Sequence, residues 1–393
     1  YGSHPSTDSP FDDPDGFKFG EEGDENMIKC GSYTTDSNED AHVYLGWEPQ
    51  WVLAKRVDSS TGGDWMIVDS MRGFPNAQDV ENNASGQCMV LEPNTSDDEI
   101  TTSRIGITPT GFYADQFGSD RSFIYVAVRR PDGYVGKPPE AGTDVFAMDN
   151  TANSSDPRFT SGFPVDFSLT RKPAVTGTWD SWHTGARLVQ GTYQLTATNN
   201  AWATGGNFQY DYNDGMFIGS GWANYMSWMW KRHAGFDVAT YAGVSATRTI
   251  QHSMGKVPEM MWIKSRTSTD GWEVYHKGLN GGTTPASYSL RLDTSATESN
   301  IGATGKWSDI TSTSVTLHSN GGVNFNSKNF IAMLFASVAG ISKVGYYNGT
   351  GSVGLQITTG FSPRFLILKR ANASGPWYVL DTTRGWAGGN DQY

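Results

Sequence analysis

Two carboxylates stand out because each precedes an arginine by three residues: Asp69 before Arg72, and Asp381 before Arg384. A carboxylate placed this regularly could serve as a general acid or base. An arginine beside it occupies its oxygens, so the pair reads as a salt bridge near a turn rather than as a proton donor. Other catalytic signatures are missing from the sequence. The seven histidines are scattered, with no His-x-x-x-His or Cys-x-x-Cys spacing that would point to zinc. There is no phosphate-binding glycine loop and no Gly-x-Ser-x-Gly nucleophile elbow. Cys30 and Cys88 are too few for a disulfide framework; they allow a single bridge, and two buried free thiols is the preferred reading. The run Asp12-Asp13-Pro14-Asp15-Gly16 is acidic enough to attract calcium but lacks the alternation of an EF-hand loop. Apart from calcium in such acidic loops, no cofactor or metal is expected.

Aromatic side chains offer a second kind of chemistry. Trp65, Trp179, Trp272 and Trp377 each follow a polar hairpin turn. A flat indole can carry a sugar ring, but an aromatic repeated at one position reads first as core with its N–H satisfied at a strand end. Better glycan candidates are aromatics outside the repeated pattern: Trp182, Trp202, Tyr210, Tyr212 and Trp222, in segments rich in Gly, Asn and Asp. The basic pairs Lys55-Arg56, Arg171-Lys172 and Lys369-Arg370 fit strand ends that discourage edge pairing.

The elements that position these residues recur. Gly46-Trp-Glu-Pro49-Gln-Trp51-Val-Leu-Ala-Lys55-Arg56 leads through a loop to Trp65-Met-Ile-Val-Asp69, and Arg72-Gly73 follows. Near the end, Gly360-Phe-Ser-Pro363-Arg-Phe365-Leu-Ile-Leu-Lys369-Arg370 leads to Trp377-Tyr-Val-Leu-Asp381, then Arg384-Gly385. Two divergent copies lie between. One carries Pro164, Trp179, His183 and Gly185, with His183 in the Asp place, and the other Pro258, Trp272, His276 and Gly278. Pro49, Pro164, Pro258 and Pro363 set a period of about one hundred residues, too long for a solenoid repeat and suited to a small β-sandwich. Each repeat closes on an apolar strand, such as Phe123–Arg130, Tyr225–Arg232 and Phe330–Ala336.

The expected fold is therefore all-β: tandem β-sandwich or jelly-roll-like modules of about one hundred residues. Residues 1–25 read as a linker or the end of a preceding domain. Modules one, two and three span 26–141, 142–233 and 234–343, and 344–393 begins a truncated fourth. A chain of 393 residues with 13% aromatic content, 46 glycines and only 18% charged residues agrees with strands and turns. The net charge of −12 argues against a nucleic-acid surface. No apolar run is long enough to insert in a membrane.

The run Gly-aromatic-x-Pro-x-aromatic, the Lys-Arg pair, the loop Trp and Asp-x-x-Arg-Gly resemble a recurring domain in structural proteins of tailed phages, marine ones especially. So do the closing strands Phe123–Arg130 and Trp228-Met-Trp230-Lys231. The resemblance covers about residues 15–393. It implies a virion structural protein without enzymatic activity, in a tail fibre or similar appendage that meets the host surface. Its partners would be other virion proteins, its own copies (three in a fibre), and a host glycan or protein. The alternatives are a tailspike-like glycan-degrading enzyme and a secreted bacterial adhesin.

Overall fold

The computed structural model describes residues 27–59, 63–69, 88–102, 104–108, 110–115, 117–129, 139–150, 157–173, 181–189, 191–204, 208–210, 212–219 and 224–386. The chain divides into two compact units, residues 1–137 and 138–393. Among the described residues the regular structure is antiparallel β, with four short 3-10 turns and no α-helix. The expected all-β class with sandwiched sheets is what the chain adopts.

Unit one contains β1 (Ile28–Thr34), β2 (Ala41–Tyr44), β3 (Pro49–Arg56), β4 (Met66–Asp69), β5 (Cys88–Val90), β6 (Ile100–Thr102), β7 (Ile105–Thr108), β8 (Gly111–Ala114) and β9 (Ser122–Arg129). Its main sheet has the order β1-β9-β3-β4, and a second sheet has β2-β8-β7. Strand alternation decides which side chains meet. Val52, Ala54, Met66, Val68, Phe123, Tyr125 and Ala127 are buried, as are Val43, Ile105, Ile107 and Phe112 of the smaller sheet. Phe112 stands edge-on to both Tyr33 and Tyr125, at 5.8 and 5.4 Å, which closes this sandwich. The intervening outward residues Trp51, Leu53, Ile67, Val126 and Val128 are only half-buried, and Ile28 and Ile124 are exposed.

Unit two holds two larger sandwiches and a hairpin. The first comprises β10 (Phe146–Asp149), β11 (Phe159–Thr160), β12 (Phe167–Arg171), β13 (His183–Ala186), β14 (Thr192–Leu195), β15 (Ala203–Thr204), β16 (Gly215–Met216) and β17 (Met226–Trp230). Its main sheet runs β10-β17-β12-β13-β14-β15, opposed by β11-β16. Between them lies a core of Phe159, Phe163, Val165, Phe208, Tyr210, Met216, Ile218, Tyr225 and Met229. The second comprises β18 (Phe236–Ala242), β19 (Arg248–Gln251), β20 (Met260–Ser265), β21 (Glu273–His276), β22 (Tyr288–Arg291), β23 (Ser299–Asn300), β24 (Trp307–Ser308), β25 (Ser314–Leu317) and β26 (Asn329–Phe335). Its sheets are β18-β26-β20-β21-β22-β23 and β19-β25-β24. Last comes the hairpin of β27 (Phe365–Lys369) and β28 (Trp377–Asp381).

The strand order recurs. In each main sheet the first strand pairs with the closing strand, which pairs with the strand after the proline anchor. That strand begins after a glycine with positive φ: Gly46 (+86°), Gly162 (+81°), Gly255 (+65°) and Gly360 (+88°). A side chain would strain the turn at those angles, so Gly is the residue that lets the chain enter the strand there. The sequence boundaries separate residues 142–233 from 234–343, yet both share unit two with the hairpin. The cause is their outer faces. Trp228, Trp262, Ile331 and Met333 point away from their own sandwich cores and are nonetheless fully or almost fully buried, so each sandwich needs its neighbour to cover it.

Candidate functional site

Strand register identifies equivalent positions better than spacing does. Across the hairpin of each repeat, Trp51 faces Asp69, Phe167 faces Ala186, Met260 faces His276 and Phe365 faces Asp381. Counting back along each second strand puts Trp65, Trp182, Trp272 and Trp377 at one position. The sequence reading therefore needs correction in the second copy. Trp182, not Trp179, is its repeat tryptophan, and Ala186, not His183, stands at the Asp position. A longer turn between β12 and β13 displaced the count. Trp179 itself lies outside the described residues.

These tryptophans join one repeat to the next. The Trp272 indole N–H donates to the Leu195 carbonyl at 3.2 Å, and the Trp377 indole to the Arg291 carbonyl at 2.9 Å. Both acceptors end equivalent strands, β14 and β22. Lysines at one position repeat the arrangement: Lys264 Nζ reaches the Asn199 carbonyl at 3.4 Å, and Lys369 Nζ the Ser295 carbonyl at 3.2 Å. In return, the Trp202 backbone N–H donates to the Arg266 carbonyl at 2.9 Å, and the Glu298 backbone N–H to the Ala371 carbonyl at 2.8 Å. Donors and acceptors of all three bonds are offset identically from the strand ends. Backbone carbonyls as acceptors make the latch tolerant of sequence change. Burial pushes the Lys264 ammonium down to about 8, and Ser265 and Ser268 carbonyls at 2.8 and 3.1 Å help solvate it.

A third junction closes the set. Phe236, which opens β18, packs on Phe167 of β12 at 5.7 Å. In the same way Phe146, which opens β10, packs on Phe365 of β27 at 5.1 Å. The direction of contact matches the latches: third repeat on second, fourth on third, second on fourth. Such a heterologous contact that returns to its start is a closed ring of three. Trp228 seals it, donating to Asp381 Oδ2 at 3.1 Å beneath the Arg384 guanidinium, 5.1 Å from its ring.

At the centre of the ring is a cavity of about 280 Å³. Leu169, Trp262 and Ile367, equivalent outward residues of β12, β20 and β27, line it together with Trp182 and Trp377. Asp293, Thr294, Ser295 and Thr196 supply its polar rim. The Trp262 indole N–H is buried without a hydrogen-bond partner. An apolar wall with one orphan donor and a hydroxyl-bearing rim suits one face of a sugar or a comparable small ring carrying an oxygen acceptor.

The remaining candidates distribute as follows. Of the proposed glycan platforms, Tyr210 is corrected: it is 1% exposed in the core, its hydroxyl 2.9 Å from Ser168 Oγ, and cannot stack on a ligand. Trp202 is half-buried beside the second-to-third latch, and Tyr212 is half-buried. Trp222 and Arg72 lie outside the described residues, as do Asp12 to Gly16. Pro49 and Pro258 are buried and Pro164 and Pro363 half-buried at the strand entries. Trp272 is fully buried, whereas Trp65 and Trp377 are half-buried. Asp69 is half-buried. Asp381 is 1% exposed, with one oxygen 2.5 Å from Arg384 Nε and the other accepting the Arg384 backbone N–H at 2.9 Å. Both of its oxygens thus accept hydrogen bonds, which is the salt bridge near a turn that the sequence suggests. Cys30 is a free thiol exposed on edge strand β1 and not buried as expected, because β1 turns its Cys30 face away from the core. Among the described residues no three His, Cys, Asp or Glu gather to hold a metal, and no helix is long and apolar enough to cross a membrane.

Sequence reasoning missed the latch. Its acceptors are carbonyls, which carry no residue-type signal. The donors were visible as repeated Lys and Trp, and were read as strand ends and core. A family model described as "Domain of unknown function (DUF7483)" matches residues 24–129 and 190–392. No curated protein matches the chain.

Proposed function

The chain belongs to this DUF7483 domain family, and we propose that it is a non-enzymatic structural protein of a tailed-phage particle, in a tail fibre or similar appendage that meets the host surface. One observation carries the structural part of this reading. Three repeats of a single chain form a ring in which backbone-directed bonds recur at equivalent positions of two junctions, while aromatic packing closes the third. That is architecture for rigidity, with surface loops left free to vary. The phage assignment rests on the repeat grammar of the sequence. Its partners are other particle proteins, its own copies and a host surface glycan, for which the ring cavity with Trp182 and Trp377 is the candidate seat.

Immunogold labelling of purified particles with antibody against this chain tests the location. Gold on an appendage is expected, and label confined to uninfected host cells would overturn it. Incubation with host envelope glycans should release no new reducing ends. Sustained turnover lost on substitution of one acid would favour a depolymerase instead.

A further inference from the structure

Two donors of the unit-two latch, the tryptophan and the lysine, have counterparts in unit one that reach no second repeat among the described residues. Register places Trp65 with Trp272 and Trp377, and Lys55 with Lys264 and Lys369. Lys55 Nζ bonds the Gly63 carbonyl of its own hairpin, as Lys369 bonds Gly375, but reaches no second repeat. The Trp65 backbone N–H is taken by Asn94 Oδ1, and the described residues offer its indole N–H no acceptor.

The acceptor side is present too. Ile67 bridges to Leu91, as Val274 pairs with Leu290 and Thr184 with Gln194, so Glu92 stands where Arg291 and Leu195 stand. Its carbonyl already takes the Thr95 N–H at 2.9 Å. Leu195 does the same with the Thr198 N–H while also accepting the Trp272 indole. Following residues 93–100 are exposed.

Between donor and acceptor lies an uncovered apolar face. Ile28 is 60% and Ile124 42% exposed, and Trp51, Leu53, Ile67, Val126 and Val128 are half-buried. At the equivalent places in unit two, Phe236, Ile331, Trp262, Val274 and Met333 are at most 1% exposed because neighbouring repeats cover them, while Met260 and Phe335, the counterparts of Trp51 and Val128, are half-buried as well. A face this apolar on a chain of net charge −12 is one that a partner covers.

We propose that unit one uses this face to associate with two further copies of the chain about a threefold axis, through the same latch that joins successive repeats inside unit two. Trp65 of each copy donates to the Glu92 carbonyl of the next, and Lys55 reaches the Ser96 carbonyl. The occupant is a second copy because unit one carries both halves of a heterologous contact that unit two makes at two successive junctions of a ring of three. The proposal deepens the own-copy part of the proposed function and rests on that part alone; it stands whichever particle site the protein occupies.

The test is the mass of the full chain by sedimentation velocity and native mass spectrometry. A trimer is expected, whereas a monomer at every concentration overturns the proposal without touching the particle assignment. Ile124→Asp should weaken association by at least about thirtyfold, as a charge in a hot spot does. Tyr44→Asp, on an exposed residue of β2, should leave it intact. A trimer that survives Ile124→Asp is held elsewhere and overturns the assignment. Thiol labelling provides a readout independent of mass and of any folding defect. Cys30, on the same outer face as Ile28, should react with a maleimide at least about tenfold more slowly in the trimer than in the dilute monomer. Equal rates would also overturn the proposal.

Discussion

Units one and two display the same sheet in two situations. In unit two the outer face of each main sheet is covered by another repeat, and Trp228, Trp262 and Met333 are at most 1% exposed. In unit one that face is half-open, and its large side chains are replaced by smaller ones: Val128 stands where Trp230 and Phe335 stand, and Val126 where Trp228 stands. The difference teaches where the stability of each lies. Unit two depends on contacts between repeats, whereas unit one holds itself with the single sandwich around Phe112, Phe123 and Tyr125. The same grammar thus serves as self-contained module and as building block.

The largest expected break falls on the aromatic latch. Trp272→Ala should cost unit two about 3–5 kcal/mol, as core aromatic truncations do. Trp65→Ala, at a half-buried ring, should cost dilute unit one less than half of that. Denaturant unfolding with separate probes for the two units reads both, and equal costs would erase the distinction. Next is Asp381→Ala, which strands the Arg384 guanidinium and the Trp228 N–H together. Loss of about 3 kcal/mol is expected, in line with breaking one side of a buried ion pair.

Acid should act on unit two through its buried imidazoles. Burial pushes His183, His233 and His276 down to about 4 from the ordinary 6.5. They are neutral in the native state, while the unfolded chain takes up protons below about 6.5. Stability is therefore fully present above pH 6.5 and declines as pH falls toward 4, by at most about 1.4 kcal/mol per histidine per pH unit. Urea unfolding of unit two at pH 7.5, 6 and 5 checks this. A flat profile would mean that these rings are solvated in the native state.

Much of this comparison was legible in the sequence. The proline anchors, Gly46 and Gly360 before two of them, and the closing strands Phe123–Arg130 and Phe330–Ala336 were readable because turn chemistry and apolar runs are local signals. The ring was not. Trp228 and Trp230 look the same whether they face a core or a neighbouring repeat, and a carbonyl such as that of Leu195 leaves no trace in residue type. The second copy was misaligned because the turn before Trp182 is longer, and only the pairing of Leu169 with Thr184 shows which tryptophan is which. Tyr210 looked like a surface platform from its Asn- and Asp-rich surroundings, but its hydroxyl satisfies Ser168 inside the core.

The finest test changes one N–H. Trp377→Phe keeps a ring at the third-to-fourth junction and deletes the donor to the Arg291 carbonyl. That carbonyl is left without the indole, so unit two should lose about 1 kcal/mol, the net worth of one hydrogen bond. Trp65→Phe removes the matching N–H where the described residues of unit one provide no acceptor. Its unfolding free energy at low concentration should stay within about 0.5 kcal/mol of the parent, as for a surface change. If copies latch through Glu92, the same substitution must instead appear in association, weakening the trimer roughly fivefold for each bond lost. Paired measurements of unfolding and sedimentation on these two variants separate a bond made within the chain from one made between chains. A loss of unfolding stability in dilute Trp65→Phe would show that unit one already satisfies its indole, and the contrast between the two units would then narrow to their apolar faces.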